Sequence, residues 1–408
     1  MTRKSSGTSS RKTTGKGSSQ QLTLPGLITA LVVGIAALVI NQCSGGTPVT
    51  TPPTPTPTVS AQLPPATGDV QLIELPMGTG AQQGFWQVFF TIPSRSRNPA
   101  DYGGGVDIPV AAAIDATQRT LDFAAFEFNN AVITEAILRA KARGVQVRMV
   151  TDSEHGLEDE DSTVDQLIAA GIPVVADTRT AFMHDKFMIL DGATVVTGSW
   201  NFTVNDTYRN NNNVLILRSR NAALNYQAEF DEMFVNGQFG PRSPRNTPFT
   251  TFTQDGIPMA FYMGPEDRPM DALAEAVSNA RESIRFMAFS FTHDALQAAM
   301  LTEAENGIDV QGIFERTGSE TAAAALTPML CAGVAVRQDG NPFVLHHKVV
   351  IVDERIVISG SFNFSDNATQ SNDENLVIID DPVLAAQYLA EYDRRWAEAS
   401  APANITCP

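Results

Sequence analysis

The chain has 408 residues, 43% of them hydrophobic, and a formal charge of -17 from 28 Lys and Arg against 45 Asp and Glu. That length and apolar share suffice for two or three packed units and exclude a wholly disordered chain. Residues 1–68 hold five of the basic residues and no acidic one, so residues 69–408 carry 23 basic against 45 acidic side chains, a net of -22. Such a body repels a polyanion such as duplex DNA at long range unless a local basic groove outweighs it, which disfavours nucleic acid as a partner.

Residues 1–21 are basic and rich in Ser, Thr and Gly, the composition of a disordered tail. Leu22–Ile40 contains no charge, and its nineteen residues would span about one hydrocarbon core as a helix. Basic residues on its N-terminal side predict that this end stays cytoplasmic and that the body is exported, giving a single-pass signal-anchor in the cell membrane. The competing expectation is a cleaved signal peptide and a secreted body, but the apolar stretch is long for that and no A-x-A site follows. Ile40-Asn41-Gln42 before Cys43 lacks the small residues of a lipoprotein site. Residues 41–68 form a linker, in which Pro52, Pro53, Pro55, Pro57, Pro64 and Pro65 among threonines favour an extended spacer. Three cysteines without C-x-x-C spacing do not suggest a zinc site. In an exported body Cys331 and Cys407 could pair and tie down the C-terminus; the other reading is a buried Cys331 and an incidental tail thiol.

The body repeats itself. A helical pattern at Val110–Gln118 leads to an apolar run Leu121–Phe128, a second helix Ala131–Arg143 ending at Gly144, and a strand Val145–Val150. The second half repeats this order with Ala272–Ala280, Ile284–Phe291, Ala295–Asn306, Gly307 and Ile308–Phe314. Phe123 matches Phe286 and Gly144 matches Gly307; after a one-residue shift in offset, Gly171 matches Gly333 and Gly198 matches Gly360. Strands alternating with helices imply two α/β units, expected at 69–235 and 259–400, with a Gly-, Pro- and Thr-rich linker at 236–258 and a tail at 401–408.

Each unit carries the same polar constellation late in its repeat. The first reads His184-Asp185-Lys186, Asp191, then Gly198-Ser199-Trp200-Asn201; the second reads His346-His347-Lys348, Asp353, then Gly360-Ser361-Phe362-Asn363. Residues two apart on a strand share a face, so each histidine converges with its lysine, while His347 points the other way. A nucleophile that needs no metal, a cation and neutral donors suit a phosphoryl group. Two copies supply one imidazole to attack and one to protonate the leaving oxygen. No metal or cofactor is expected. Asp191 and Asp353 precede turns and suggest a structural role. Trp200 and Phe362 read as core, with a lipid-contacting lip an alternative for Trp200. His155 and His293 have no matched partner, and Asp152 and Glu315 match at strand ends as caps or rim residues. Glu154-His155 followed by Glu158–Asp161 reads as a solvated acidic loop, with a metal site the alternative.

With two copies of H-x-K-x4-D and G-S-x-N, residues 106–396 resemble the phospholipase D superfamily, the HKD phosphodiesterases. The resemblance implies two pseudo-symmetric halves, each a mixed β-sheet flanked by helices, with the active site at their interface: a monomer containing an internal pseudo-dimer. It also implies metal-free catalysis through a covalent phosphohistidine. The ending Gly-Ser-Phe-Asn-Phe resembles the small bacterial nuclease-like and cardiolipin-hydrolase-like branch. Members often carry an acidic residue after the G-S-x-N turn; Glu374 fills that place, whereas the first half has Asn212. On the family pattern Glu374 would orient His184 across the interface, making His184 the nucleophile, and Asn212 would hold His346, the general acid, without a charge. Pairing within each half would exchange the roles. Lys186 and Lys348 would bind phosphate, with Ser199, Asn201, Ser361 and Asn363 supporting it. The expected activity is a phospholipase D-like phosphodiesterase on phospholipids, with transphosphatidylation as a variant. The alternatives are an extracytoplasmic metal-independent endonuclease of the same superfamily, or an inactive binding module.

Overall fold

The computed structural model describes residues 69–403 and 405–407. The expected tail, anchor and proline-rich spacer fall outside the described residues, among which no helix is long and apolar enough to cross a membrane.

The first half contains β1 (Gln71–Leu75), β2 (Gly78–Gln83), β3 (Trp86–Thr91), β4 (Thr120–Ala125), β5 (Gln146–Asp152), β6 (Val174–Asp177), β7 (Lys186–Leu190), β8 (Thr194–Gly198) and β9 (Asn213–Arg218). They form one sheet in the order β1-β2-β3-β9-β8-β7-β4-β5-β6. The second half contains β10 (Thr251–Gln254), β11 (Ile257–Gly264), β12 (Ser283–Ala288), β13 (Asp309–Phe314), β14 (Ala335–Gln338), β15 (Lys348–Val352), β16 (Ile356–Gly360) and β17 (Glu374–Asp380), in the order β10-β11-β17-β16-β15-β12-β13-β14. In both sheets the β4–β5–β6 and β12–β13–β14 pairings are parallel and the others antiparallel, the mixed architecture expected of the repeat. β10 and β11 begin inside the stretch expected to be linker, joined at an Asp255-Gly256 turn with both residues at positive φ.

The repeated helices form where the sequence starts and stops them. Ala131–Ala142 opens on Asn130, whose side chain accepts from Ile133 N at 3.2 Å, and closes before Gly144 at φ 93°. Asp294–Glu305 opens on His293, which accepts from Leu296 N, and is followed by Gly307 at φ 92°. A side chain at either glycine would sit in the left-handed region, which explains why both repeats keep glycine there.

Outer helices cover one face of each sheet. On the inner faces, helices Arg220–Asn236 and Pro382–Glu398 share a single core with both sheets, including Phe187, Tyr226 and Phe230 from the first half and Phe261, Val349 and Tyr388 from the second. β7 and β15 are buried on both faces, as their unbroken apolar runs require. Trp200 and Phe362 lie in the outer cores, not on a lip. A Cys331–Cys407 disulfide, with Cα atoms 5.3 Å apart, holds the C-terminal segment.

Asp191 and Asp353 lie at the strand ends remote from the histidines. Asp191 accepts from the backbone N–H groups of Gln118, Arg119 and Thr120, and Asp353 from those of Arg281, Glu282 and Ser283. Each pins the loop before a central strand to the turn after the motif strand. Both also adopt positive φ, at 54° and 53°. Asp353→Ala should therefore lower the free energy of unfolding by about 2 kcal/mol, from lost backbone acceptors and αL strain together. Chemical denaturation checks this, and turnover per folded molecule should stay unchanged.

Candidate active site

Both motif strands begin where the two halves exchange main-chain bonds. His184 N donates to Asp373 O at 2.9 Å and Asp373 N to Phe182 O at 2.9 Å; His346 N donates to Asn211 O at 2.9 Å and Asn211 N to Val344 O at 2.8 Å. Matched carboxylates hold the preceding residues: Asp152 accepts from Met183 N at 3.3 Å and Glu315 from Leu345 N at 2.7 Å. Each histidine is therefore fixed by its own half from one side and by the opposite half from the other.

The side chains follow the strand period. His184 and Lys186 share one face, and Lys186 Nζ donates to His184 O at 2.7 Å. His346 and Lys348 repeat this at 2.9 Å. Phe126 packs against the ring of His184 and under the Lys186 ammonium, 4.8 Å from each, and Phe289 does the same for His346 and Lys348 at 4.9 and 4.7 Å. On the reverse face Asn375 Nδ2 donates to Asp185 at 2.6 Å and Asn213 Nδ2 contacts His347 Nδ1 at 3.1 Å. His347 also meets Glu391 and lies away from the cleft.

The orienting contacts cross the interface. His184 Nδ1 lies 2.8 Å from Glu374 Oε2, and His346 Nδ1 lies 2.9 Å from Asn212 Oδ1. Ser361 Oγ donates to Glu374 at 2.7 Å and Ser199 Oγ to Asn212 at 2.8 Å. The two serine hydroxyls thus steady the orienting residues and do not reach into the cleft as phosphate donors. Asn201 Nδ2 donates to Glu127 at 3.2 Å, while the buried Oδ1 atoms of Asn201 and Asn363 have no partner.

One expectation is corrected here. His346 is not held by a neutral group alone: Asp206 Oδ2 stands 3.3 Å from its Nδ1, itself fixed by Asn201 N at 2.8 Å and Asn210 Nδ2 at 2.5 Å. The second half has Ala368 at the corresponding place, so the two halves each supply one carboxylate to the opposite histidine, from positions six residues apart in the repeat. Glu127 is a second carboxylate outside the repeated motifs. It follows Phe126 beside both lysines, where the repeat has Ser290. Aligning the two halves position by position exposes both departures.

Burial dominates the electrostatics. It pushes both imidazoles down, His346 to about 4 and His184 well below its ordinary value, with the lysines adding to the effect. Burial lowers Lys186 to about 8, and burial followed by the Lys186 charge holds Lys348 well below its ordinary value. Burial raises Glu374 to about 8. Burial also raises Glu127 to about 8, helped by the Asp206 charge. Burial alone would raise Asp206 too, but His346, Asn210 and the Asn201 N–H outweigh it and hold this carboxylate below the usual range. With Glu374 and Glu127 both raised, little ionised carboxylate balances the two lysines, and the cleft suits an anion.

Two α/β halves that each deliver a histidine and a lysine to one shared cleft define a pseudo-symmetric HKD-type protein. The chain belongs to the family described as cardiolipin synthase, PLD-like domain, which matches residues 110–234 and 273–396. Similar proteins include a mitochondrial cardiolipin hydrolase of Xenopus tropicalis, 33% identical over 132 residues, which are 32% of this chain and 63% of that protein. A phospholipase D of Rickettsia bellii is 33% identical over 31% of this chain and 62% of its own length. The chain thus matches somewhat under two thirds of the length of these relatives. Among solved structures, a phosphatidylserine synthase of Haemophilus influenzae shares the fold with a TM-score of 0.56 at 15% identity, over 72% of this chain and 83% of that one.

Proposed function

We propose that the protein is a phospholipase D-type phosphodiesterase that cleaves phospholipids through a phosphohistidine on His184. The observation that carries this reading is the pair of buried imidazoles whose Nδ1 atoms are both held from the opposite half, by Glu374 and by Asn212 with Asp206, so that both Nε2 atoms remain for substrate.

His184 Nε2 attacks phosphorus, and the bond to the leaving oxygen breaks as the P–N bond forms. His346 gives its Nε2 proton to the departing alkoxide. It then takes a proton from water as the water oxygen attacks phosphorus and the P–N bond breaks. Lys186 and Lys348 neutralise the non-bridging oxygens throughout. The ionised Asp206 favours the imidazolium needed in an acid, which supports His346 in that role. Glu374 neutralises the cation that develops on His184. An alcohol in place of water would give transphosphatidylation.

Relatives named for cardiolipin hydrolysis and phospholipase D activity, together with a body of net charge -22, favour a phospholipid over a nucleic acid. The test is to give the purified chain phosphatidylcholine, cardiolipin and single-stranded DNA side by side, with and without EDTA. Release of a phosphatidyl product that persists in EDTA is expected. Cleavage of DNA alone would move the substrate to nucleic acid, and loss restored by a divalent ion would overturn the metal-free chemistry.

Leu22–Ile40 supports an anchored, extracytoplasmic body, and the disulfide suits an oxidising compartment. Protease added to intact cells should digest the body; protection, or a body free in the medium, would contradict this.

A further inference from the structure

We propose that the protein holds a structural calcium ion between its halves, bound by Glu229 and Glu232 of helix Arg220–Asn236 and by Glu266, which follows β11. One carboxylate oxygen from each residue lies within 4.8 Å of the other two. A common centre then falls within about 2.8 Å of all three before any movement, close to the 2.3–2.6 Å that calcium takes with oxygen.

Independent of that clustering, Glu229 is 1% exposed and neither of its carboxylate oxygens has a hydrogen-bond partner. Glu232 Oε2 and Glu266 Oε2 are likewise buried without a partner. Ser243 and Asn246 approach Glu232, but four buried oxygens without a hydrogen-bond partner are costly in a protein interior, where polar groups are ordinarily satisfied. Other buried carboxylates are met by cations, as where Asp177 and Asp373 share Arg179 and Glu391 faces Arg394, Arg395 and His347. Asp107, Asp185 and Asp339 each leave a single oxygen without a partner, whereas Glu229 leaves both.

The surroundings deepen the need for a cation. Glu229 also feels the charges of Asp185 in its own half and of Asp373 across the interface, and Glu232 and Glu266 both feel Asp267. Arg245 is spent on Asp267, and it is largely exposed. Carboxylate oxygens without nitrogen or sulfur ligands suit a hard cation. A buried set of this kind suits calcium better than magnesium, which keeps several of its waters. Glu229 and Glu232 are one helical turn apart in the first half, while Glu266 belongs to the second, so the ion would clip the halves together beneath the strand that carries His184. It would touch no reacting atom. In the sequence, a Glu-x-x-Glu pair reads as an ordinary solvated helix face.

The rival occupant is a proton shared between Glu229 and Glu266. To separate the two, the purified full-length protein is dialysed against EDTA and its unfolding temperature followed as calcium or magnesium chloride is added, with calorimetry to count sites. Calcium at about 100-fold excess over its dissociation constant should raise the unfolding temperature by about 4 °C, with one site per chain and a smaller response to magnesium. Glu229→Gln and the more accessible Glu266→Gln should each abolish the shift, and Glu266→Gln reports even if Glu229→Gln does not fold. Turnover at moderate temperature should be the same in EDTA and calcium, so failure of the phosphodiesterase reading would leave this result untouched. No calcium-dependent shift in the wild type, or a full shift retained by Glu266→Gln, would overturn the proposal. A Glu229→Gln protein more stable than the wild type under both conditions would identify the shared proton instead.

Discussion

His184→Asn is expected to remove turnover by on the order of 10⁴-fold or more and to abolish covalent labelling at the same time. The attacking nitrogen is gone, and no other imidazole in the cleft has Glu374 behind it. His346→Asn should behave differently. With a phospholipid the loss is comparable, because the departing alkoxide receives no proton. With a nitrophenyl phosphodiester, whose leaving group needs none, the adduct should form and then persist, since the base for the incoming water is missing. Glu374→Gln should resemble a weakened His184 variant in labelling rate. Asp206→Asn should instead slow release of the poorer leaving groups, because it removes the charge that favours a protonated His346. This second variant follows from the structure and not from the motif, which offered only Asn212 opposite His346.

The cleft cations set the other large effect. Lys186→Met should cost on the order of 10²–10³-fold in kcat, the loss expected when one preorganised partner of transition-state charge is removed. The pH profile carries the same information. Lys186 titrates at about 8 because burial depresses it, so kcat/KM should fall as pH rises through about 8 and the ammonium is lost. On the acid side, burial lifts Glu374 to about 8. The His184–Glu374 pair must surrender one proton before Nε2 is free to attack, so this pair taken by itself would make kcat/KM rise with pH up to that point. His346, which burial pushes down to about 4, must carry its proton to act as the acid and loses it above that pH. The two opposing ionisations give a plateau between about pH 4 and 8 that falls above about 8, with limbs that belong to the coupled cluster and not to single residues. Glu374→Gln removes the opposing rise and should tilt the plateau downward with pH, and a profile unchanged by that substitution would place the controlling proton elsewhere.

Much of the arrangement was legible because the chain states it twice. The offset between Gly144 and Gly307 and the two His-x-Lys pairs fix the order of strands around the motif and the face on which each imidazole lies. Glu374 could be placed opposite His184 because it occupies the position where relatives carry an acidic residue. Asp206 could not. Its contact depends on the short helix Val204–Tyr208 turning the chain back so that a residue five beyond Asn201 reaches His346, and no periodicity reports that. Glu127 was hidden for a similar reason: it stands in an apolar run between Phe126 and Phe128, where alternation alone gives a strand residue of no particular role. The strand β2, Gly-Thr-Gly-Ala-Gln-Gln, has almost no apolar side chain to mark it in the sequence. Its pairing with β3, Trp86–Thr91, builds it into the sheet.

The most direct measurement of the central claim is rapid quenching of the wild-type reaction with a nitrophenyl phosphodiester, followed by mass spectrometry of the peptides containing His184 and His346. A phosphoryl group on His184, absent in His184→Asn and long-lived in His346→Asn, is the predicted result. A phosphoryl group on His346, with His184→Asn still labelled, would exchange the two roles, and no adduct on either histidine under single-turnover conditions would contradict the covalent mechanism itself.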